Sequence, residues 1–483
     1  MPAQDGILEK GYLGDLNPDL ARSAPSRLFK WLLHLARPSF TVHPNGNGHN
    51  NKLGRTAYLD GLRGFAAFIV YWHHHNLWAR GIASGVFENG YGYMGKHYFV
   101  ALPFVRNFFS GGHFAVSIFF VISGYVLSAK PVALIQAGDH VKLGDNLASA
   151  LFRRWIRLYI PLIATTILYV FWFHTFGLGV IAKKKDTIGA ELWEWYAEFK
   201  NFSFVYRTSG EPWFTYNFHT WSIPVEFKGS VIIYTCLLAF SRGTRNARLL
   251  LTIGMIVYFM YIVDGAHYSM FLAGMLLAEI DTLAMNDNLP HFFKAFEASK
   301  QYIFYGFFIV AMYLGGVPSI DQDTRNLAKS PGWYYLSFLK PQAIFDYKWF
   351  YLFWAAVFMV SCIPRIPLLR RFFETRFNLY LGRISFALYL VHGPVLWIVG
   401  DRMYAAVGWY REDNMLHTPK WVNAFPIPRI GPLGLETDFW PCHLVLLPLT
   451  LWLAEVVTRM FDEPSVKFAR WIYTSTLEEE NKR

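Results

Sequence analysis

YLDGLRGFAAFIVYWHHHNLW, residues Tyr58 to Trp78, decides how the rest of the chain is read. A helix of this length crosses the hydrocarbon core of a bilayer, which takes about 20 residues. Yet the stretch contains Asp60, Arg63 and three consecutive histidines, His73, His74 and His75. A charged group costs about 3 kcal/mol or more at the centre of a membrane, so ionisable residues there mark a functional site with partners on other helices. Helical periodicity singles out one histidine. At about 100° per residue, the steps from Arg63 to His74 complete three turns plus about 20°. His74 therefore shares the face of Arg63, while His73 and His75 point about 80° and about 120° to either side. The rise between Arg63 and His74 is about 16 Å, half the hydrocarbon thickness. One helix face thus places a permanent cation near a membrane surface and a proton-transfer group deep in the core.

Of 483 residues, 54% are hydrophobic and only 16% are charged. That balance belongs to a polytopic membrane protein, not to the soluble domains that the length alone would allow. The formal charge is +11, but no basic, aromatic-interleaved soluble domain is present, so the charge reads as basic loops meeting anionic lipid and nucleic acid is not an expected partner. Three cysteines, Cys236, Cys362 and Cys442, lie in or beside apolar stretches and form no C-x-x-C pair. Neither a disulfide framework nor a metal site is expected from them.

Ten spans emerge from the apolar runs: 58–78, 114–130, 156–179, 223–240, 249–264, 267–283, 301–316, 349–363, 383–400 and 441–460. The expected fold is an all-α transmembrane bundle. Short basic connections, with Arg242, Arg245 and Arg248 in one and Arg365, Arg370, Arg371 and Arg376 in another, fall on the same side as the two termini. By the positive-inside rule that side is cytoplasmic. The chain accordingly divides into a flexible cytoplasmic tail (1–55), a membrane domain (56–465) and a cytoplasmic C-terminal tail (466–483). The host membrane is an endomembrane or the plasma membrane if the source is eukaryotic.

Chemistry concentrates at a few positions. His74, with an ordinary pKa near neutrality, suits general acid–base work. Arg153 and Arg157 in RRWIRLYIP are four residues apart on one helix face; with Arg63 they would ring a cytoplasmic mouth, and guanidinium forks suit phosphate oxygens. Arg154 beside them reads equally well as a membrane anchor. TWSIPVEFKGS brings Trp221, Ser222 and Glu226 to the start of the fourth span, with Ser222 and Glu226 one turn apart. Capping of the helix explains the serine; it does not explain a carboxylate continuing into an apolar segment. Ser123 and Gly124 in the second span read as small residues that let helices approach closely. In the ninth, Tyr389 lies one turn before His392, and an interhelical hydrogen bond from His392 competes with a catalytic role for it.

LDGLRG followed by histidine, FFVISGYVLS, RRWIRLYIP, WSIPVEF and SFALYLVHGP occur in this order over roughly residues 56–470. Together they resemble the acyltransferase-3 family of integral membrane O-acyltransferases, in a fungal-like form. The resemblance implies His74 as catalytic base, Arg63 with Arg153 and Arg157 as donor-binding residues, and Ser222 and Glu226 as the serine and acid that open the fourth helix. It departs from the family in its triple histidine, in Tyr125 after Gly124, and in having no appended hydrolase-like domain.

The implied activity is transfer of an acyl group, acetyl first among the candidates, from cytoplasmic acyl-coenzyme A to an acceptor hydroxyl. Acyl-coenzyme A is then a co-substrate, and no permanently bound cofactor is expected. Glu226 would orient His74 or bind the acceptor, alongside Asp60, Trp221, Tyr389 and His392 as acceptor-side residues. A carbohydrate, a sterol or a secondary metabolite could each be that acceptor. The competing class is a proton-coupled transporter or solute-binding protein, with His74 and Glu226 in a proton relay.

Overall fold

A computed structural model describes residues 53–81, 85–177, 184–207 and 212–477. Nearly all of the expected N-terminal tail and the end of the C-terminal tail lie outside these. Among the described residues there is no strand, and each of the ten apolar stretches is helical. We label these helices α1 (Ala57–Arg80), α2 (Gly112–Gln136), α3 (His140–Phe176), α4 (Ser222–Phe240), α5 (Arg245–Val257), α6 (Ala266–Met285), α7 (Lys300–Leu314), α8 (Tyr347–Cys362), α9 (Arg376–Val395) and α10 (Trp440–Val457).

Seven of the described helical segments are long and apolar enough to cross a membrane unaided, where the sequence reading counted ten spans. The three that fall short do so for different reasons. α5 and α7 have 13 and 15 residues, while α1 has 24 but is diluted by its polar groups. α1 is instead surrounded by protein, packing along α9 on one side and α2 on another. The molecule is an integral membrane protein built around its least apolar long helix.

Between membrane helices the hydrophobic effect offers little, so close backbone packing through small residues takes its place. α1 and α9 run side by side in the same direction, joined where a β-carbon on Gly64 would collide with the Gly382 backbone and one on Gly382 would collide with the Asp60 carbonyl. α2 and α6 are joined in the same way through Gly124 and Gly274. The small-residue role expected of Gly124 is thus seen in its packing. Beyond α10, a π-helical turn, Thr458–Asp462, leads into a further helix, Glu463–Thr476, which packs along α3 and sets Tyr473 beside Phe152 with ring centres 5.5 Å apart. Most of the expected C-terminal tail is therefore an ordered helix.

Candidate active site

The parallel run of α1 and α9 has a direct consequence for the two residues singled out first. Arg63 donates to the Gly382 carbonyl at 2.9 Å, and His74 Nδ1 lies 2.9 Å from His392 Nε2. Both side chains face the same helix, at points separated by ten residues, or about 15 Å of rise. The tautomers follow from the partners. His392 Nδ1 lies 2.8 Å from the Tyr389 carbonyl, which can only accept, so that nitrogen carries the proton. Neutral His392 then presents a lone pair at Nε2, and His74 must donate to it through Nδ1–H. The free lone pair of His74 is consequently at Nε2. His74 is packed among protein on every side yet keeps accessible surface, as a group facing an internal chamber does.

A third imidazole closes on this pair. The ring of His219 stacks on His74 with centres 3.9 Å apart and on His392 at 4.9 Å. It arrives on the tight turn Thr215–Trp221 that precedes α4, and that turn is fastened to α9 twice. Asn217 Nδ2 donates to the Leu390 carbonyl at 2.9 Å, and the Tyr389 hydroxyl donates to the His219 carbonyl. With its proton so committed, Tyr389 accepts from Ser222 Oγ, 2.7 Å away. Ser222 and Tyr389 therefore reach the site through the backbone of His219. A β-carbon on Gly393 would lie 2.6 Å from His219 Nδ1, so the glycine leaves room for the ring.

His74, His219 and His392 present nitrogen atoms within 4.8 Å of one another, a spacing that invites a metal. The ring planes argue otherwise. They lie 10° to 27° apart, and within them His74 Nδ1 and His392 Nε2 point at one another across 2.9 Å, not at a shared third point. A metal would also have to break the hydrogen bond between His74 and His392. The arrangement is that of a hydrogen-bonded stack.

About 16 Å along α1, basic groups gather where α3, α4 and the π turn after α10 meet. Arg157 lies close enough to Arg154, Asp462 and Arg63 to feel their charges, and Arg153, Arg154 and Arg157 all surround Tyr234. Asp60 pairs with Arg63 at 3.8 Å. Arg154 is engaged: it pairs with Glu226 and donates from Nε to Ser230 Oγ at 2.8 Å. Arg153 Nε bonds the Ser149 carbonyl one turn back, at 3.1 Å. Arg157 makes no hydrogen bond among the described residues, and Arg63 Nε has none either. Arg157, and the Nε of Arg63, thus keep donors uncommitted close to two carboxylates, Asp462 and Asp60.

An acyltransferase-domain family model matches residues 56–454. The chain belongs to the acyltransferase-3 family of integral membrane O-acyltransferases. It is 28% identical to the O-acetyltransferase PaAT-1 of Phomopsis amygdali, over 93% of this chain and 90% of that one. No solved structure matches it. The protein is accordingly an enzyme, an acyltransferase held in a membrane.

Within this acyltransferase, one expected partnership does not form. Glu226 does not reach His74; its carboxylate is bound by Arg154, one helix away. The reason is angular: Ser222 and Glu226 begin the same helix, but Ser222 turns to Tyr389 on α9 while Glu226 turns to α3. His392 occupies the place behind His74 that Glu226 was expected to take. Trp221 keeps some accessible surface, with its ring 5.7 Å from His267. Sequence reasoning missed His219 and Asp462. His219 stands two residues before Trp221 in the FHTWSIP run, a signal lost because the turn carrying it has no periodicity to read. Glu463, the next residue after Asp462, pairs with Arg383 at 3.0 Å.

Proposed function

We propose that this acyltransferase moves an acetyl group from acetyl-coenzyme A to a hydroxyl of an acceptor, with His74 Nε2 as the general base. The observation that supports this best is the directed chain from the Tyr389 carbonyl through His392 to His74, which leaves the lone pair of the last imidazole toward the chamber. It has the logic of a nucleophile-activating triad, in which a fixed group behind the base sets its tautomer. His219, stacked on the base and held by Tyr389 and Ser222, keeps that ring from turning.

The donor's phosphates bind Arg63 and Arg157, with Arg153 at the outer edge and Arg154 keeping Glu226 neutralised beside them. From there the pantetheine arm runs about 16 Å inward and brings the thioester carbonyl to His74. The acceptor oxygen attacks that carbonyl carbon as its proton passes to Nε2. The tetrahedral intermediate then collapses, the carbon–sulfur bond breaks, and the Nε2 proton goes to the departing thiolate. The products are an ester and free coenzyme A. Burying the step keeps water from consuming the thioester.

The Phomopsis amygdali relative is named an O-acetyltransferase, which favours acetyl over longer chains and oxygen over nitrogen. Purified protein given labelled acetyl-coenzyme A and a metabolite extract is the test. Label recovered in an alkali-labile ester, and lost with His74→Ala, supports the proposal. Accumulation of a solute in vesicles without ester formation supports the transporter instead.

A further inference from the structure

On the side of His74 away from the arginine mouth, aromatic rings form a closed circuit. His73 lies between His74 (5.2 Å) and His113 (5.4 Å), His113 meets Trp349 (5.7 Å), Trp349 meets His267 (4.3 Å) and Trp221 (5.7 Å), and Trp221 leads two residues back along the chain to His219, which returns to His74. Five elements contribute: α1, α2, α6, α8 and the turn before α4. Three members, His113, His267 and Trp221, keep accessible surface although the two histidines are packed among protein, as is His74. All three are linked to His74 through these ring contacts.

Two features set this circuit apart from a packed core. His113 Nδ1 and His267 Nε2 are buried and have no hydrogen-bond partner. The other nitrogen of each ring, His113 Nε2 and His267 Nδ1, is not enclosed and makes no hydrogen bond among the described residues, so these two are the positions at which a ligand can supply hydroxyls. Charge is also almost absent. Lys348, whose charge reaches both His113 and His267, is 2.8 Å from Asp346 and rests over Trp349 at 5.2 Å, so that charge is paired. A charged acceptor would find no counter-ion in the circuit. Flat indole faces with neutral imidazole nitrogens between them fit the apolar face of a ring and hydroxyls at its edge.

We infer that His113, His267, Trp221 and Trp349 form the acceptor subsite, and that it takes an uncharged alcohol whose hydroxyls stand on a ring. The inference rests on the acyltransfer reading of His74, which fixes where the reacting hydroxyl must lie. Trp349 and Trp221 hold the ring, and His113 and His267 take the hydroxyls that are not acylated.

The test uses the full chain in nanodiscs with two small probes, trans-cyclohexane-1,2-diol and glycerol, and labelled acetyl-coenzyme A. His267→Phe keeps the ring and removes the nitrogen; it should raise KM for the diol about three- to tenfold, the worth of one neutral hydrogen bond. Trp349→Leu should raise it further and should erase the preference for the diol over glycerol. Acceptor-free hydrolysis of acetyl-coenzyme A should keep its donor KM in both, which separates the subsite from a general loss of fold. Saturation-transfer NMR of the diol gives a readout without chemistry. Ester formation by the wild type with both variants unchanged in diol KM overturns the inference and leaves the acyltransfer reading standing. Diol binding that Trp349→Leu abolishes, with no ester from any variant, supports the subsite and overturns the acyltransfer reading.

Discussion

Adjacent histidines on α1 live in opposite surroundings. His75 is sealed in a network: its Nδ1 is 2.6 Å from the Tyr404 hydroxyl, which lies 3.2 Å from His443 Nε2, while His443 Nδ1 is 2.9 Å from the Tyr71 hydroxyl. All four side chains are buried. His74, one residue earlier, has one nitrogen committed to His392 and keeps accessible surface. The same residue type, on the same helix and at nearly the same depth, becomes a strut in one case and a candidate base in the other. What differs is whether the second nitrogen faces protein or a space that a substrate can enter.

The sharpest way to break the comparison is to remove each ring in turn. His74→Ala should lower transfer at least about 100-fold, the usual contribution of a positioned base. His75→Ala should lower thermal stability and leave the turnover of the surviving folded protein near that of the wild type. Steady-state rates normalised to folded protein, measured beside a thermal melt, distinguish the two. Equal losses of turnover in both variants would remove His74 from its special position.

Next comes the partner that fixes the tautomer. Without His392, His74 is free to carry its proton on Nε2, where it cannot act as a base. His392→Ala should therefore reduce kcat about tenfold or more while donor KM stays constant. His392→Gln offers a carbonyl that can accept from His74 Nδ1–H and should recover part of the loss. No recovery, together with a raised donor KM, would show that His392 acts on the donor instead.

How much of this was legible in the sequence depends on whether a residue's neighbours are set by its own helix. Arg63 and His74 share a face because both belong to one regular helix, and the structure turns both toward α9. The helices themselves were visible because lipid demands apolar runs. Orientation toward a second helix was not. Nothing in TWSIPVEF says that Ser222 faces α9 and Glu226 faces α3, since both lie within the arc that a first turn can aim anywhere. The number of self-sufficient spans was overcounted for a related reason: α5 and α7 are apolar along part of their length, but only helical ends, set by turns and caps, determine how long they are. His219 and Asp462 sit on a tight turn and a π turn, where no period applies.

The basic mouth repeats the contrast between a satisfied and an unsatisfied group. Arg154 is consumed by Glu226 and Ser230, whereas Arg157 makes no hydrogen bond among the described residues and lies within reach of the charges of Arg154, Asp462 and Arg63. Arg157→Ala should raise donor KM about tenfold, at the low end for a charge-assisted hydrogen bond to phosphate, and leave kcat unchanged. Arg154→Ala should act mainly on stability by stranding the Glu226 carboxylate, and the double variant Arg154→Ala/Glu226→Ala should recover part of that loss. A donor KM that moves with Arg154 and ignores Arg157 would reverse these assignments.

The smallest effect expected is at Tyr404, where the comparison can be made with a single oxygen. Its hydroxyl joins His75 to His443 deep in the bundle, and its ring stacks on Phe439 at 5.6 Å. Tyr404→Phe keeps the ring and its packing but leaves two imidazole nitrogens without their shared partner. The loss should be about 1–2 kcal/mol of stability, because both histidines are neutral and each forfeits one ordinary hydrogen bond. Turnover should not change, since no atom of this network reaches the chamber that His74 faces. A melt shifted downward with kcat and both KM values intact fits a strut. If kcat falls instead while the melt stays put, the two histidine environments communicate, and the division drawn between His74 and His75 does not hold.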